Sequence, residues 1–100
     1  EASKAAVHQI VKTFANELSP YNINVNSIAP YFIRTPMVEH QSQEYKDASY
    51  ALASLERWLE PEELLGAAYL LTSDAGNAIT GQILAVDGGY SAIKSMYTMR

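Results

Sequence analysis

From Val7 onward the apolar residues fall at Val7, Ile10, Val11, Phe14, Ala15 and Leu18. Steps of three and four keep them on one helical face, so the spacing predicts an α-helix from the first residues up to Pro20, which cannot continue it. Next, NINVNSIA at 22–29 alternates β-branched Ile23 and Val25 and closes at Pro30, predicting a short strand. Residues 31–60 lose both periods. Phe32, Tyr45, Tyr50 and Trp58 are scattered there among charged and amide side chains, as in a long loop with helical pieces. Connections of that length are commonly lids or binding loops. EPEELLGAAYLL then starts another helix: Pro61 suits the first helical position, and Glu60, Glu62 and Glu63 sit at the positive end of its dipole. Gly76 and Asn77 mark a stop, and QILAVDGG at 82–89 predicts a nearly all-apolar strand closed by an Asp-Gly-Gly turn.

Apolar strands of this kind are normally covered on both faces, as in a parallel sheet between helices, so the fold class is α/β. Two strands alone make a marginal sheet. The order helix, strand, lid, helix, strand therefore predicts the second half of a larger domain.

Composition narrows the function classes. With 48% hydrophobic and 18% charged residues, a folded unit is expected rather than disorder. Seven Lys and Arg against eleven Asp and Glu give a net charge of -4 with no basic run, which argues against a nucleic-acid partner. The absence of cysteine excludes a disulfide framework, a thiolate metal site and a catalytic thiol. The longest apolar stretch, LLGAAYLL, is far short of the ~20 residues that span a bilayer, and no stretch has the build of a signal peptide. No membrane partner and a cytoplasmic location are expected. His8 and His40 lack a paired HxxxH spacing or clustered carboxylates, so no metal site is expected. His8 lies one position off the apolar stripe and reads as a surface residue.

Five phrases occur together: ASKAAV at 2–7, NVNSIAP at 24–30, RTPM at 34–37, EPEE at 60–63 and TGQILAVDGGY at 80–90. Over residues 1–93 they resemble the C-terminal portion of a short-chain dehydrogenase/reductase, a family with a Rossmann-like doubly wound parallel sheet. Residues 31–60 would then be the substrate lid, and 94–100 a tail beyond the usual family end. The resemblance implies an NAD(P)-dependent oxidoreductase interconverting a secondary alcohol and a ketone. The final phrases look most like members acting on sugars, polyols or sugar acids. NAD or NADP is the implied cofactor, and a homodimer or homotetramer the implied assembly, with the first helix against a partner subunit. The alternative is a truncated, non-catalytic relative acting only as an interaction or oligomerisation module.

In the family a tyrosine acts as acid/base with a lysine one helical turn later. Lys4 matches the lysine, so it is the catalytic candidate, and the tyrosine would lie immediately before Glu1, outside this chain. The isolated hundred residues are accordingly expected to be inactive. An ammonium near a phenol favours the phenolate, which otherwise forms only near pH ~10. The lysine would also hydrogen-bond the cofactor ribose. A lone lysine near a chain start is more often a solvated surface residue; its place in ASKAAV reverses that. Ser3, on a different part of the helix, is not the family's catalytic serine.

The family's cofactor-binding turn matches Pro30, Tyr31, Ile33 and Thr35, with the Ile33 backbone near the nicotinamide carboxamide and Thr35 near carboxamide or pyrophosphate. Tyr31 stands where the family usually has glycine, which permits close backbone approach or a positive φ. Leu59 replaces another common glycine, and Ala78 a common aromatic. Met37, His40 and Trp58 are the lid candidates for substrate contact, although a solvated His40 and simple aromatic packing of Trp58 are the blander alternatives.

Overall fold

The first helix forms where the apolar spacing predicts it: in the computed structural model, which describes residues 2–92, α1 spans Ala2–Leu18. A 3-10 turn at Ser19–Tyr21 follows, with Pro20 inside it and Asn22 left-handed at φ 61° as its cap. The strand is shorter than NINVNSIA suggests: β1 covers Ser27–Pro30. The asparagines explain the difference. Asn24 donates from its side chain to Gly76 O (3.3 Å) and Asn77 O (3.1 Å), and Asn26 to Ile79 O (2.9 Å). Asn26 also accepts from the Gln82 N–H at 3.0 Å. Side-chain bonds thus replace a regular ladder until Ser27, whose N–H donates to Gln82 O at 2.9 Å.

After β1, residues 31–60 contain two short helices, α2 (Pro36–Glu39) and α3 (Gln43–Tyr50), the latter capped by Ser42, which accepts from the Tyr45 N–H at 3.1 Å. The helix at EPEELLGAAYLL begins as a 3-10 turn over Pro61–Leu64 and becomes α-helical as α4 over Leu65–Thr72. Another 3-10 turn, Asp74–Gly76, precedes β2 (Ile83–Val86), which pairs with β1 in a two-stranded parallel sheet. The apolar run QILAVDGG therefore yields four strand residues, and its last three belong to a turn. No helix among the described residues is long and apolar enough to cross a membrane.

The described residues divide into two compact units, 2–29 with 66–84 and 30–65 with 85–92. In the first, Val11 and Ala15 are buried, with Gly81 close beside Ala15 and the Lys12 ammonium donating to Gly81 O at 3.4 Å. The remaining apolar stripe of α1 stays open: Val7, Ile10 and Phe14 are each about half exposed. In the second unit Ala53, Trp58 and Leu59 form the buried apolar core around Ser49. The tail at 94–100 lies outside the described residues.

Candidate functional site

The stretch from Pro30 to Thr35 leaves the end of β1 and is held at its middle by an isolated parallel bridge between Ile33 and Leu59. Leu59 supplies both polar groups of that bridge: its N–H donates to Phe32 O (2.9 Å), and its carbonyl accepts from the Arg34 N–H (2.8 Å). In a parallel pairing the opposed residue, Ile33, turns its own N–H and C=O to the other side. A backbone donor and acceptor are thus presented side by side, the complement of a primary amide. Thr35 follows, exposed and extended at φ -136°, and its carbonyl accepts from the Val38 and Glu39 N–H groups at the start of α2.

Tyr31 fits without backbone strain. Positive φ among the described non-glycine residues occurs at Asn22 and Glu56, so this position does not require glycine's left-handed freedom. Its ring stacks on Tyr90 with centroids 3.7 Å apart and planes 10° from parallel, and meets Phe32 edge-on at 4.4 Å. Burial and the nearby phenols of Tyr90 and Tyr45 push the Tyr31 phenol above its ordinary pKa.

Behind this turn the aromatic residues that looked scattered in the sequence form a cluster. Trp58, 1% exposed, packs 6.0 Å from Phe32 and 5.4 Å from Tyr50, and its Nε1–H donates to Ser49 Oγ at 2.6 Å. The Arg34 guanidinium lies 5.3 Å from the indole centroid, pairs with Glu60 at 2.9 Å and also pairs with Glu39. Those hydrogen bonds to Glu39 and then Glu60 raise the Arg34 pKa further, and the Glu39 carboxyl is held below the usual carboxylate range by the same guanidinium. Lys46 approaches Glu39 at 3.8 Å. Arg57 grips Glu63 with two bonds of 2.7 and 2.8 Å, and the Glu63 carboxylate also accepts the Glu60 N–H at 2.8 Å. Together these bonds hold Glu63 at a pKa of about 2. Glu60 and Glu63, read from sequence as helix-start charges, therefore also tie down Arg34 and Arg57 of the preceding segment.

The sequence candidates are distributed unevenly. Pro30, Tyr31, Ile33 and Thr35 are contiguous in the second unit, which also contains Met37 (80% exposed), the exposed His40 and the buried Trp58. Lys4 lies on the exposed side of α1 in the first unit, with Ser3 beside it, and His8 is half-buried there. No group of three metal-ligating side chains occurs among the described residues. The sequence alone assigns no role to Arg34, Ser49 or Tyr90. Arg34 could have been suspected from Glu39 and Glu60, but nothing local connects Tyr31 with Tyr90.

Comparison with known proteins bears on all of this. A family model described as enoyl-(acyl carrier protein) reductase matches residues 1–91. The chain is 41% identical over 88 residues to the 3-oxoacyl-[acyl-carrier-protein] reductase FabG of Thermotoga maritima, covering 88% of this chain and 36% of that protein. It is 38% identical over 92 residues to galactitol 2-dehydrogenase (L-tagatose-forming) of Cereibacter sphaeroides, covering 90% of this chain and 36% of that protein. Among solved structures, a 4-hydroxyisoleucine dehydrogenase mutant complexed with NADH and succinate superposes with a TM-score of 0.86 at 34% identity, over 94% of this chain and 40% of that one. The chain thus spans a little over a third of the length of these curated relatives. A match that runs through nearly every residue, on a backbone of the same shape, means that the chain belongs to the short-chain dehydrogenase/reductase family and has its Rossmann-like α/β fold.

Proposed function

We propose that this chain serves an NAD(P)-dependent oxidoreductase that interconverts a secondary alcohol and a ketone, on a sugar, polyol or sugar acid. The observation that carries the reading is the Ile33 backbone pair, turned away from Leu59 at the end of β1 inside the family's cofactor-binding phrase. An amide donor and acceptor so arranged suit a nicotinamide carboxamide, and the exposed Thr35 hydroxyl two residues on suits a second polar contact to the same cofactor. The bound nicotinamide supplies the hydride chemistry. Lys4 holds positive charge on the exposed side of α1, where it favours the ionised form of a phenol one helical turn before it and donates to the ribose. Relatives named for galactitol and for 2-dehydro-3-deoxy-D-gluconate support the sugar class, and a neighbour complexed with NADH supports the cofactor.

The test is turnover of a polyol and sugar-acid panel by the full-length protein with NAD or NADP. Lys4→Met is expected to abolish turnover, and Thr35→Val to weaken cofactor binding. Full turnover by Lys4→Met refutes the assignment. By the same reading the hundred residues alone reduce nothing, and the protein is cytoplasmic.

A second reading has one observation in its favour. The half-exposed Val7, Ile10 and Phe14 make an apolar strip on α1 suited to a partner helix. In the enzyme this strip joins subunits of a homodimer or homotetramer; in a non-catalytic relative it is the whole function. Phe14→Glu with light scattering tests the strip, and turnover separates the two readings.

A further inference from the structure

Tyr31 is the residue at which this chain departs most visibly from its family's pattern, and its surroundings give the departure a role. The ring is stacked flat on Tyr90. Tyr90 ends a turn that is fixed from several sides. The Asp87 carboxylate accepts from the Gly89 and Ser91 N–H groups, each at 3.0 Å, and the Tyr90 N–H donates to Asp87 O at 3.1 Å. The Leu55 N–H donates to Gly88 O at 2.8 Å, and the Ser54 hydroxyl to Gly89 O at 3.3 Å. The turn takes φ of 63° and 89° at Gly88 and Gly89, which those two glycines accept without strain. The backbone that carries Tyr90 is therefore held to residues 54 and 55, and Tyr31 stacks on its partly exposed ring. Two residues later comes Ile33, whose backbone is pinned from the other side by Leu59.

We propose that Tyr31 is a positioning residue: by stacking on Tyr90 it fixes the Ile33–Thr35 backbone at the cofactor. The proposal rests on the reading that Ile33 and Thr35 receive the nicotinamide end of NAD(P). It reverses the simplest expectation for Tyr31, which is that restoring glycine tightens binding.

The experiment is a fluorescence titration of the full-length protein with NADH and NADPH, comparing wild type with Tyr31→Gly, Tyr90→Leu, Tyr90→Phe and the double variant Tyr31→Gly/Tyr90→Leu. Loss of the Tyr31–Tyr90 ring contact is expected to weaken cofactor binding about fivefold in Tyr31→Gly and in Tyr90→Leu alike. The double variant should be no weaker than either single one, because both remove the same contact. Tyr90→Phe keeps the stack but removes the Tyr90 hydroxyl that hydrogen-bonds Tyr31, so it should bind more tightly than Tyr90→Leu. A purely structural role would lower the melting temperature of the variants and leave the dissociation constant of the folded protein alone, which overturns the proposal. Binding by Tyr31→Gly as tight as wild type or tighter overturns it as well. Should Tyr31→Gly not fold, Tyr90→Leu decides, and unchanged affinity there is again a refutation. A wild type that binds neither nucleotide overturns the cofactor reading together with this one, which separates that failure from the others.

Discussion

Replacing Trp58 with alanine removes the largest fully buried side chain among the described residues. An indole buries about 200 Å² on folding, which at about 25 cal/mol per Å² is an upper estimate of ~5 kcal/mol. Comparable truncations in packed cores cost about 3–5 kcal/mol, because the space left behind collapses only in part. Here the neighbours are the rings of Phe32 and Tyr50 and the cations of Arg34 and Lys46, which cannot easily follow an alanine inward. The hydrogen bond contributes separately. In Trp58→Phe most of the aromatic contact survives while Ser49 Oγ loses its donor; since the Ser49 hydroxyl still donates to Lys46 O at 2.8 Å, the added cost is ~1 kcal/mol. Urea denaturation followed by far-UV circular dichroism should place Trp58→Ala ~3–5 kcal/mol below wild type, with Trp58→Phe in between. A loss under ~1 kcal/mol in the alanine variant would refute the assignment of Trp58 as the centre of the second unit's core.

Gly76 is buried, and a Cβ there would stand 2.1 Å from the Leu70 carbonyl oxygen, so Gly76→Ala should cost at least ~1–3 kcal/mol; a melting temperature equal to wild type would show that the turn at 74–76 yields freely. Glu63 is held at about 2 against an ordinary 4.5, so its contribution is present above pH 4.5 and is lost as pH falls through about 2. Glu63→Gln should therefore flatten the acid limb of the stability curve, and superimposable acid titrations of the two proteins would contradict this. Arg34→Gln removes solvent-screened ion pairs to Glu39 and Glu60, so global stability should change little while amide exchange quickens across residues 36–40. Unaltered exchange there would mean that the pairs do not hold α2.

How far the fold could be read depended on whether its causes were local. The first helix and its end were legible because spacing and Pro20 act within a few residues. The strand at 22–29 was overextended because Ile23 and Val25 alternate correctly, while Asn24 and Asn26 are diverted to carbonyls more than fifty residues away in sequence. The helix at 61–72 was legible, but its 3-10 start was not, since Pro61 satisfies either form. At the candidate site the contiguous Pro30, Tyr31, Ile33 and Thr35 could be named from one phrase. Ion pairing of Arg34 with Glu60, the bond from Trp58 to Ser49 and the stack of Tyr31 on Tyr90 could not, because each joins side chains that only the folded path of the chain brings together.

The bridge between Ile33 and Leu59 closes the intervening segment at its neck, and in polymer terms that separates two kinds of change. Once the neck is closed, the entropy of the enclosed loop grows only logarithmically with its length, about 0.6 kcal/mol for each doubling. Insertions or deletions in the exposed stretch around residues 40–44 thus leave the neck, and the Ile33 backbone held in it, almost undisturbed. Alterations at residues 33, 34, 59 or 60 strike the neck itself. Such an arrangement lets the loop change in length and surface while the backbone at its base keeps its geometry.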